Sequence, residues 1–241
     1  MASIQCPTPS YPQLECPIGV PNTTWNDFPD EQKANRFFNL DSIEDRIIYY
    51  LLSEDGKNDA QKYEVYNLRR CIVYPTSDAL LQKAPTFKET IQYLSNGQSR
   101  QDGKRIFRSP YMDDAWKEEC AMLKVYIDSV IPMNLYLSQV NIGIDCICHN
   151  KIINVTTPEN DDSTFIAEVD GEQYRVETKS RISVMVKAVL SLLNNANIQG
   201  IGMMQFNYEK FMYNESRYAL WNNRNFEGQK VVIGCQIGGV G

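Results

Sequence analysis

The sequence predicts an α+β fold in which a mixed or antiparallel sheet is flanked by helices. Three observations predict it. Val140 to Cys148, VNIGIDCIC, alternates and is rich in β-branched residues, as a strand with a buried face should be. After Lys179 the period changes, and Ile182, Met185, Val186, Val189, Leu190 and Leu193 recur at three- and four-residue steps, so a strand gives way to a helix. Asn and Gly in NNANIQGIG then close that helix, because both tolerate the left-handed conformation, and an alternating strand from Ile201 to Phe206 follows. The central unit therefore reads strand, turn, strand, helix, strand.

Upstream, residues 1–30 hold six of the eleven prolines. Proline fixes φ and removes a donor, so this segment reads as extended rather than helical or central in a sheet. Tyr11, Leu14, Trp25 and Phe28 are interleaved with the prolines, which makes the segment too apolar for a solvated linker. Residues 1–35 are expected to form an extended arm that packs along its own domain or over a neighbour. Residues 36–241 are expected to form a single α+β domain.

Within that domain, Ile43, Ile47, Ile48, Leu51 and Leu52 mark a helical face, with Asp41 or Ser42 as N-cap. NLRRCIVYP reads as a helix turn followed by a short strand stopped by Pro75. Ser77 to Leu81 and Thr86 to Leu94 are short helical candidates. LKVYID lies in a strand from Met122 to Val130, the expected partner of Val140–Cys148. Residues near 207–228 are aromatic-rich on a polar background and read as a loop insertion, and KVVIGCQI forms a last strand.

A formal charge of −6 opposes a general role in gripping nucleic acid through phosphates, which needs clustered Lys and Arg. The seven cysteines are odd in number and scattered, which argues for reduced thiols and a cytoplasmic site of synthesis. No apolar run is long enough to span a bilayer, and no basic segment precedes an apolar one at the start.

The helix after Arg181 shows only Ser183, Lys187 and Ser191 as polar positions between residues 182 and 193. It is either the central core helix or a helix partly covered by a second copy of the chain. On the second reading Met185, Val189, Leu192 and Leu193, with Tyr11, Leu14, Trp25 and Phe28 of the arm, are the candidate interface residues.

Chemistry-bearing patterns are sparse, and neither a catalytic set nor a cofactor site is assigned. Phosphate-loop, zinc-protease and serine-hydrolase motifs are missing. Cys146, Cys148 and His149 could suggest zinc, but on a strand 146 and 148 share a face while 149 points away. Gly200-Ile201-Gly202 lacks the third glycine and following helix of a dinucleotide turn, and reads as a tight turn. Asp145 with Glu177 and Lys179 is the one constellation with a mechanism. Two carboxylates a hairpin apart could hold Mg²⁺ while the lysine orients a water, as metal-dependent nucleases require.

RIFRSPYMDDAWKEECAMLKVYIDSVIPMN, VNIGIDCICHNKIINV and the Arg181 helix ending LLNNANIQGIG together resemble tailed-bacteriophage neck or tail-completion proteins. In that group a strand of the form I-x-I-D-x-I-x-H is paired with an Arg-led helix ending Leu-Leu-Asn and a Gly-Ile-Gly turn. The resemblance covers residues 105–206 and the helix preceding them, and it is similar in particular to the ring proteins between portal and tail of crAss-like phages. It implies a tail-terminator-like fold and a structural virion protein without chemistry of its own. Such a protein would be assembled in the host cytoplasm as a homo-oligomeric head-to-tail connector ring. Its partners would be the portal and other neck or tail proteins, with DNA only in passage and no membrane. The alternative is the Mg²⁺-dependent nuclease built on Asp145, Glu177 and Lys179.

Overall fold

Capping chemistry and apolar spacing set the first helices. In a computed structural model of the protein, the described residues are 41–95, 103–110, 117–132, 137–158, 166–169, 171–175, 177–199, 201–206, 217–219 and 224–238. The arm residues Tyr11, Leu14, Trp25 and Phe28 lie outside them. Helix α1 spans Asp41–Leu52 and buries Ile47, Ile48, Leu51 and Leu52 on one face. Helix α2 spans Asp59–Val73 and opens with a capping box, in which Asn58 and Gln61 satisfy each other's backbone N–H. A 3₁₀ turn at Ala79–Leu81 and helix α3, Phe87–Ile91, follow, the latter capped reciprocally by Thr86 and Glu89.

The expectation of a short strand after NLRR is corrected here, because α2 stays helical through Val73. Val65, Leu68, Cys71 and Ile72 all sit at full burial on its inner face, and that packing outweighs the weak helix propensity of the β-branched end. Two arginines hold the same end from outside the helix. Arg181 is fully buried and donates to the carbonyls of Cys71 (3.0 Å), Tyr74 (2.7 Å), Thr76 (2.6 Å) and Ile152 (2.9 Å). Arg105 donates to the carbonyls of Ile72 (2.8 Å) and Val73 (2.7 Å). The last carbonyls of a helix have no intrahelical partner, and a guanidinium supplies both donors and the charge its dipole favours. Arg69 does the same for α1, donating to the Leu52 carbonyl and to Glu54.

The strands are β1 (Ile106–Phe107), β2 (Ala121–Pro132), β3 (Leu137–His149), β4 (Asn154–Thr156), β5 (Ile166–Val169), β6 (Glu172–Arg175) and β7 (Thr178–Ser180). Helix α4 (Arg181–Leu193) comes next, then β8 (Asn197–Ile198), β9 (Gly202–Phe206), β10 (Arg217–Ala219) and β11 (Phe226–Gly238). A seven-stranded mixed sheet runs β1-β2-β3-β11-β9-β8, with β10 also paired to β11, and the chain is α+β as expected. Only the β1–β2 pairing in it is parallel.

The expected partnership of β2 with β3 is present, antiparallel from Ala121↔Cys148 to Pro132↔Ser138. The expected hairpin between β3 and YRVETK is not. That stretch divides between β6, which pairs β5, and β7, which pairs β4. Residues 140–149 of β3 are buried on both faces, and two long neighbours, β2 and β11, are needed to satisfy thirteen residues of backbone.

The even-numbered side of β3 (Ile142, Ile144, Cys146) faces the helices, joined by Leu123 and Val125 of β2, Val231 and Ile233 of β11, and the inner faces of α1, α2 and α4. The opposite face carries a smaller cluster of Phe107, Cys120, Met122, Ile147 and Phe226. After α4, Asn195 adopts φ 62° and its N–H bonds the Met204 carbonyl at 2.9 Å, so the predicted left-handed stop lies on Asn, one residue past the helix cap.

Candidate functional site

Alternation along β2, β3 and β11 places a row of charge on the sheet face away from the helices. Lys124, Asp145 and Lys230 are directly opposite one another in register on the three strands. Lys124 and Asp145 are 2 % and 4 % exposed, so two members of this cation–anion–cation row are buried, and Lys230 is half-buried at its end. Tyr126, one pleat along, donates its hydroxyl to Asp145 Oδ1 at 3.1 Å. Its ring reaches Asp145 because residue 143 beneath it is glycine. Burial and the neighbouring carboxylate raise the Tyr126 phenol, while burial pushes the Lys124 ammonium down to about 8 against the opposing pull of Asp145.

A β-bulge extends the row. The register of β2 shifts between Ile127 and Ser129, which inserts Asp128 as an extra residue. Asp128 takes the Lys230 ammonium across the intervening strand, and Ser129 receives a bond from Asn141 Nδ2 at 2.9 Å, itself held by Gln139. A group this fully engaged is a stiffener: every named charge in it meets a group of the chain itself.

That placement corrects the nuclease expectation. Asp145 belongs to the central sheet between two lysines, whereas Lys179 is opposite Val155 in the small β4–β7 sheet and Glu177 is exposed just before it. The hairpin that would have brought the three together does not form. Among the described residues no group of three or more His, Cys, Asp or Glu could hold a metal ion.

The other candidates also find definite places. Cys146 and Cys148 face the main core as fully buried thiols, and burial raises both, Cys148 to about 12. His149 points to the other face, edge-on to Phe226 at 5.0 Å, and its Nδ1 accepts from the Lys151 N–H at 3.2 Å. Burial lowers its basicity, in keeping with a neutral ring that caps the 3₁₀ turn at Asn150–Ile152. Met185, Val189, Leu192 and Leu193 are 0–1 % exposed within the single chain. The sheet, α2 and α1 cover α4, leaving Ser183, Lys187 and Ser191 as its exposed stripe, so its apolarity is accounted for without a second copy.

Among the described residues, the large apolar side chains of the sheet that reach solvent were not singled out by the sequence. Ile131 on β2 is 47 % exposed and Met203 on β9 is 54 % exposed. They stand on opposite sides of the β3–β11 pair in the sheet order. No sequence signal marks either, because an isolated Ile or Met in an alternating strand looks the same whether it points in or out.

The family model described as YomW matches residues 66–233, well over half of the chain, from within α2 to within β11. The matched span contains the charged row, the bulge, α4 and both exposed apolar positions. No curated protein and no solved structure matches the chain.

Proposed function

From the premise that this chain belongs to the YomW family, which is phage-associated, we propose that it is a structural protein of the virion. In this reading it forms a homo-oligomeric ring in the neck that joins the portal to the tail and lets DNA pass. The observation that carries the reading is the pair of exposed apolar side chains, Ile131 and Met203, on strands β2 and β9, which flank the β3–β11 pair of one stiff sheet. A ring needs two different contact patches on each subunit that meet head to tail and close by rotation, and one apolar point on each flank of the β3–β11 pair supplies such a contact. The buried charged row and the arginine-held helix ends support it, because a subunit that transmits load between head and tail must keep its shape. The proline-rich arm of residues 1–35 adds a second contact to a neighbour. The chain's negative charge suits a conduit, since DNA slides past an acidic lining without sticking. Among the described residues no helix is long and apolar enough to cross a membrane.

Light scattering and electron microscopy of the purified full chain, alone and with portal, test the proposal. A closed ring of defined order is the expected result, and gold or antibody labelling should fall at the head–tail junction. A particle that stays monomeric with portal present and is missing from purified virions would overturn it.

A further inference from the structure

A hollow of about 350 Å³ lies between α2, the 3₁₀ turn at Ala79–Leu81, β7 and the start of α4, a volume within the range of ligand sites. Tyr63 of α2, Leu80 of the turn and Val184 of α4 form its apolar wall, and Asn67 and Ser183 add neutral polar groups. We propose that this hollow receives the proline-rich arm of a neighbouring copy of the chain, at Pro9-Ser10-Tyr11-Pro12. This docking rests on the ring reading above, which sets a second copy beside the first.

The surface around the hollow is apolar where a docked segment needs it to be. Tyr63 is 40 % exposed on one wall, and Leu81, next in the chain to Leu80, is 54 % exposed. The two lysines at the rim are both engaged by the chain itself, Lys187 with Glu64 at 3.0 Å, so the hollow calls for no ionic ligand. Asn67 accepts from Arg70 through Oδ1 at 3.3 Å, which leaves its NH₂ to donate, and the hydroxyls of Tyr63 and Ser183 are donors as well.

That lining selects a proline-rich occupant. A chain in the polyproline conformation has no internal hydrogen bonds, so its carbonyls stay free to accept, and each proline offers an apolar ring and no N–H. With three residues per turn, Pro9 and Pro12 fall on one face, the spacing that aromatic-lined grooves hold in such segments. An aromatic ring, two aliphatic side chains and neutral donors are the complement of that face.

Length decides whose arm it is. From Pro12 to Asp41 the chain can reach up to about 90 Å at roughly 3.1 Å per residue, against roughly 45 Å for the width of a domain of about 200 residues. Pro17, Pro21 and Pro29 within that stretch fix φ at extended values and favour the longer reach. A motif that can stand two domain widths from its own α1 is placed to engage the next subunit of a ring.

Photo-crosslinking of the full chain tests this, with Tyr11→p-benzoylphenylalanine and a mixture of ¹⁴N- and ¹⁵N-labelled protein. Mass spectrometry then separates links between chains from links within one. Between-chain links to the peptides carrying Tyr63 and Asn67 or Leu80 and Leu81 are the expected result. Ser183→Trp, which fills the hollow from an exposed position, and Pro9→Ala with Pro12→Ala should each lower their yield by about tenfold, the effect of losing one interface anchor. Circular dichroism checks the fold of each variant, and light scattering checks its ring. Rings that form normally while the links fall elsewhere, within one chain or nowhere overturn this docking and leave the ring reading standing. Links unchanged by Ser183→Trp overturn it too. A chain that stays monomeric with portal present and gives no link between copies removes both.

Discussion

The ring of Tyr126 lies over Gly143 of the neighbouring strand, so close that a Cβ at position 143 would come within 2.7 Å of the ring's Cε2 and Cζ. That contact is what lets a tyrosine on β2 reach Asp145 on β3, and it ties a glycine in the VNIGID stretch to the charged row. Gly143→Ala is expected to push the ring off the strand and break the hydroxyl bond to Asp145. Overpacking of this kind costs about 1–3 kcal/mol, and urea unfolding of the full chain should show it. Tyr126→Phe removes the bond and keeps the ring, so its loss should be smaller; equal losses would show that the bond rather than the steric contact sets the cost.

Arg181 gives the second prediction. It is the first residue of α4, and it bonds four carbonyls from α2, the segment after α2 and the turn after β3. Arg181→Met would leave those buried carbonyls without donors, at about 3–5 kcal/mol, a loss near that of breaking a buried ion pair. Arg181→Lys is expected to recover little of it, because an ammonium cannot span four acceptors as a planar fork does. Helical circular dichroism and the unfolding midpoint together check both variants.

The buried lysines and the buried thiols should oppose each other above pH 8. Burial holds the Lys124 and Lys57 ammonium groups at about 8 in the folded chain, whereas an unfolded chain keeps such protons to about 10.4. For each of these lysines the unfolded state binds more protons across that window, so raising the pH favours folding by at most about 1.4 kcal/mol per pH unit. Burial pushes the Cys71, Cys148 and Cys235 thiols up to about 12 and raises Cys146 as well, whereas unfolded thiols ionise from about 8.5, so raising the pH through that value disfavours folding by up to the same amount for each thiol. Above about 10 Tyr126 adds to the fall, because its raised phenol stays protonated in the folded chain while an unfolded tyrosine ionises. Denaturant midpoints taken from pH 7 to 10.5 should therefore fall above about 9. Lys124→Met removes one opposing lysine and should steepen that fall; an unchanged slope in the variant would contradict the burial of Lys124.

Assembly should depend on the two flanks of the sheet separately. Ile131→Asp and Met203→Asp each place a charge where the proposed ring contact forms and are expected to weaken it by at least about tenfold in dissociation constant, the effect of losing one well-packed interface anchor. Both positions are exposed in the single chain, so the unfolding midpoint should move little. A mixture of the two variants retains one good contact between unlike neighbours and should give dimers but no closed ring. Deleting residues 1–30 is expected to weaken assembly and leave the fold intact. Unaltered rings from all of these variants would place the subunit contact elsewhere.

Much of the secondary structure was legible in the sequence for a local reason. Alternation in LKVYID and VNIGIDCIC, the change of period after Lys179 and the Asn-rich stop after Leu193 are each decided within a few residues, by which face must be dry and which φ a residue tolerates. The stretch NLRRCIV misled because its outcome was not local. Its β-branched end is helical because its inner face is buried in the core and because Arg181 and Arg105, from more than thirty residues away, donate to its open carbonyls.

The site residues divide the same way. Asp145, Glu177 and Lys179 looked like a set because the sequence suggested that one strand folds back on the other, and strand partnership is a choice made by the whole sheet. Once β3 takes β2 and β11 as neighbours, Asp145 is set in register between Lys124 and Lys230 and bonded by Tyr126, and Lys179 is carried to the wall of a cavity elsewhere.

By itself the sequence determined the α+β class, the β2–β3 pairing, the long helix with its narrow stripe of Ser183, Lys187 and Ser191, and the left-handed stop after it. Only the tertiary structure decided which charges share a face, which arginines are buried and which apolar side chains are left outside. The physical reason is that periodicity records how each segment divides between wet and dry, while burial, register and charge pairing depend on which distant segments fill the space on either side.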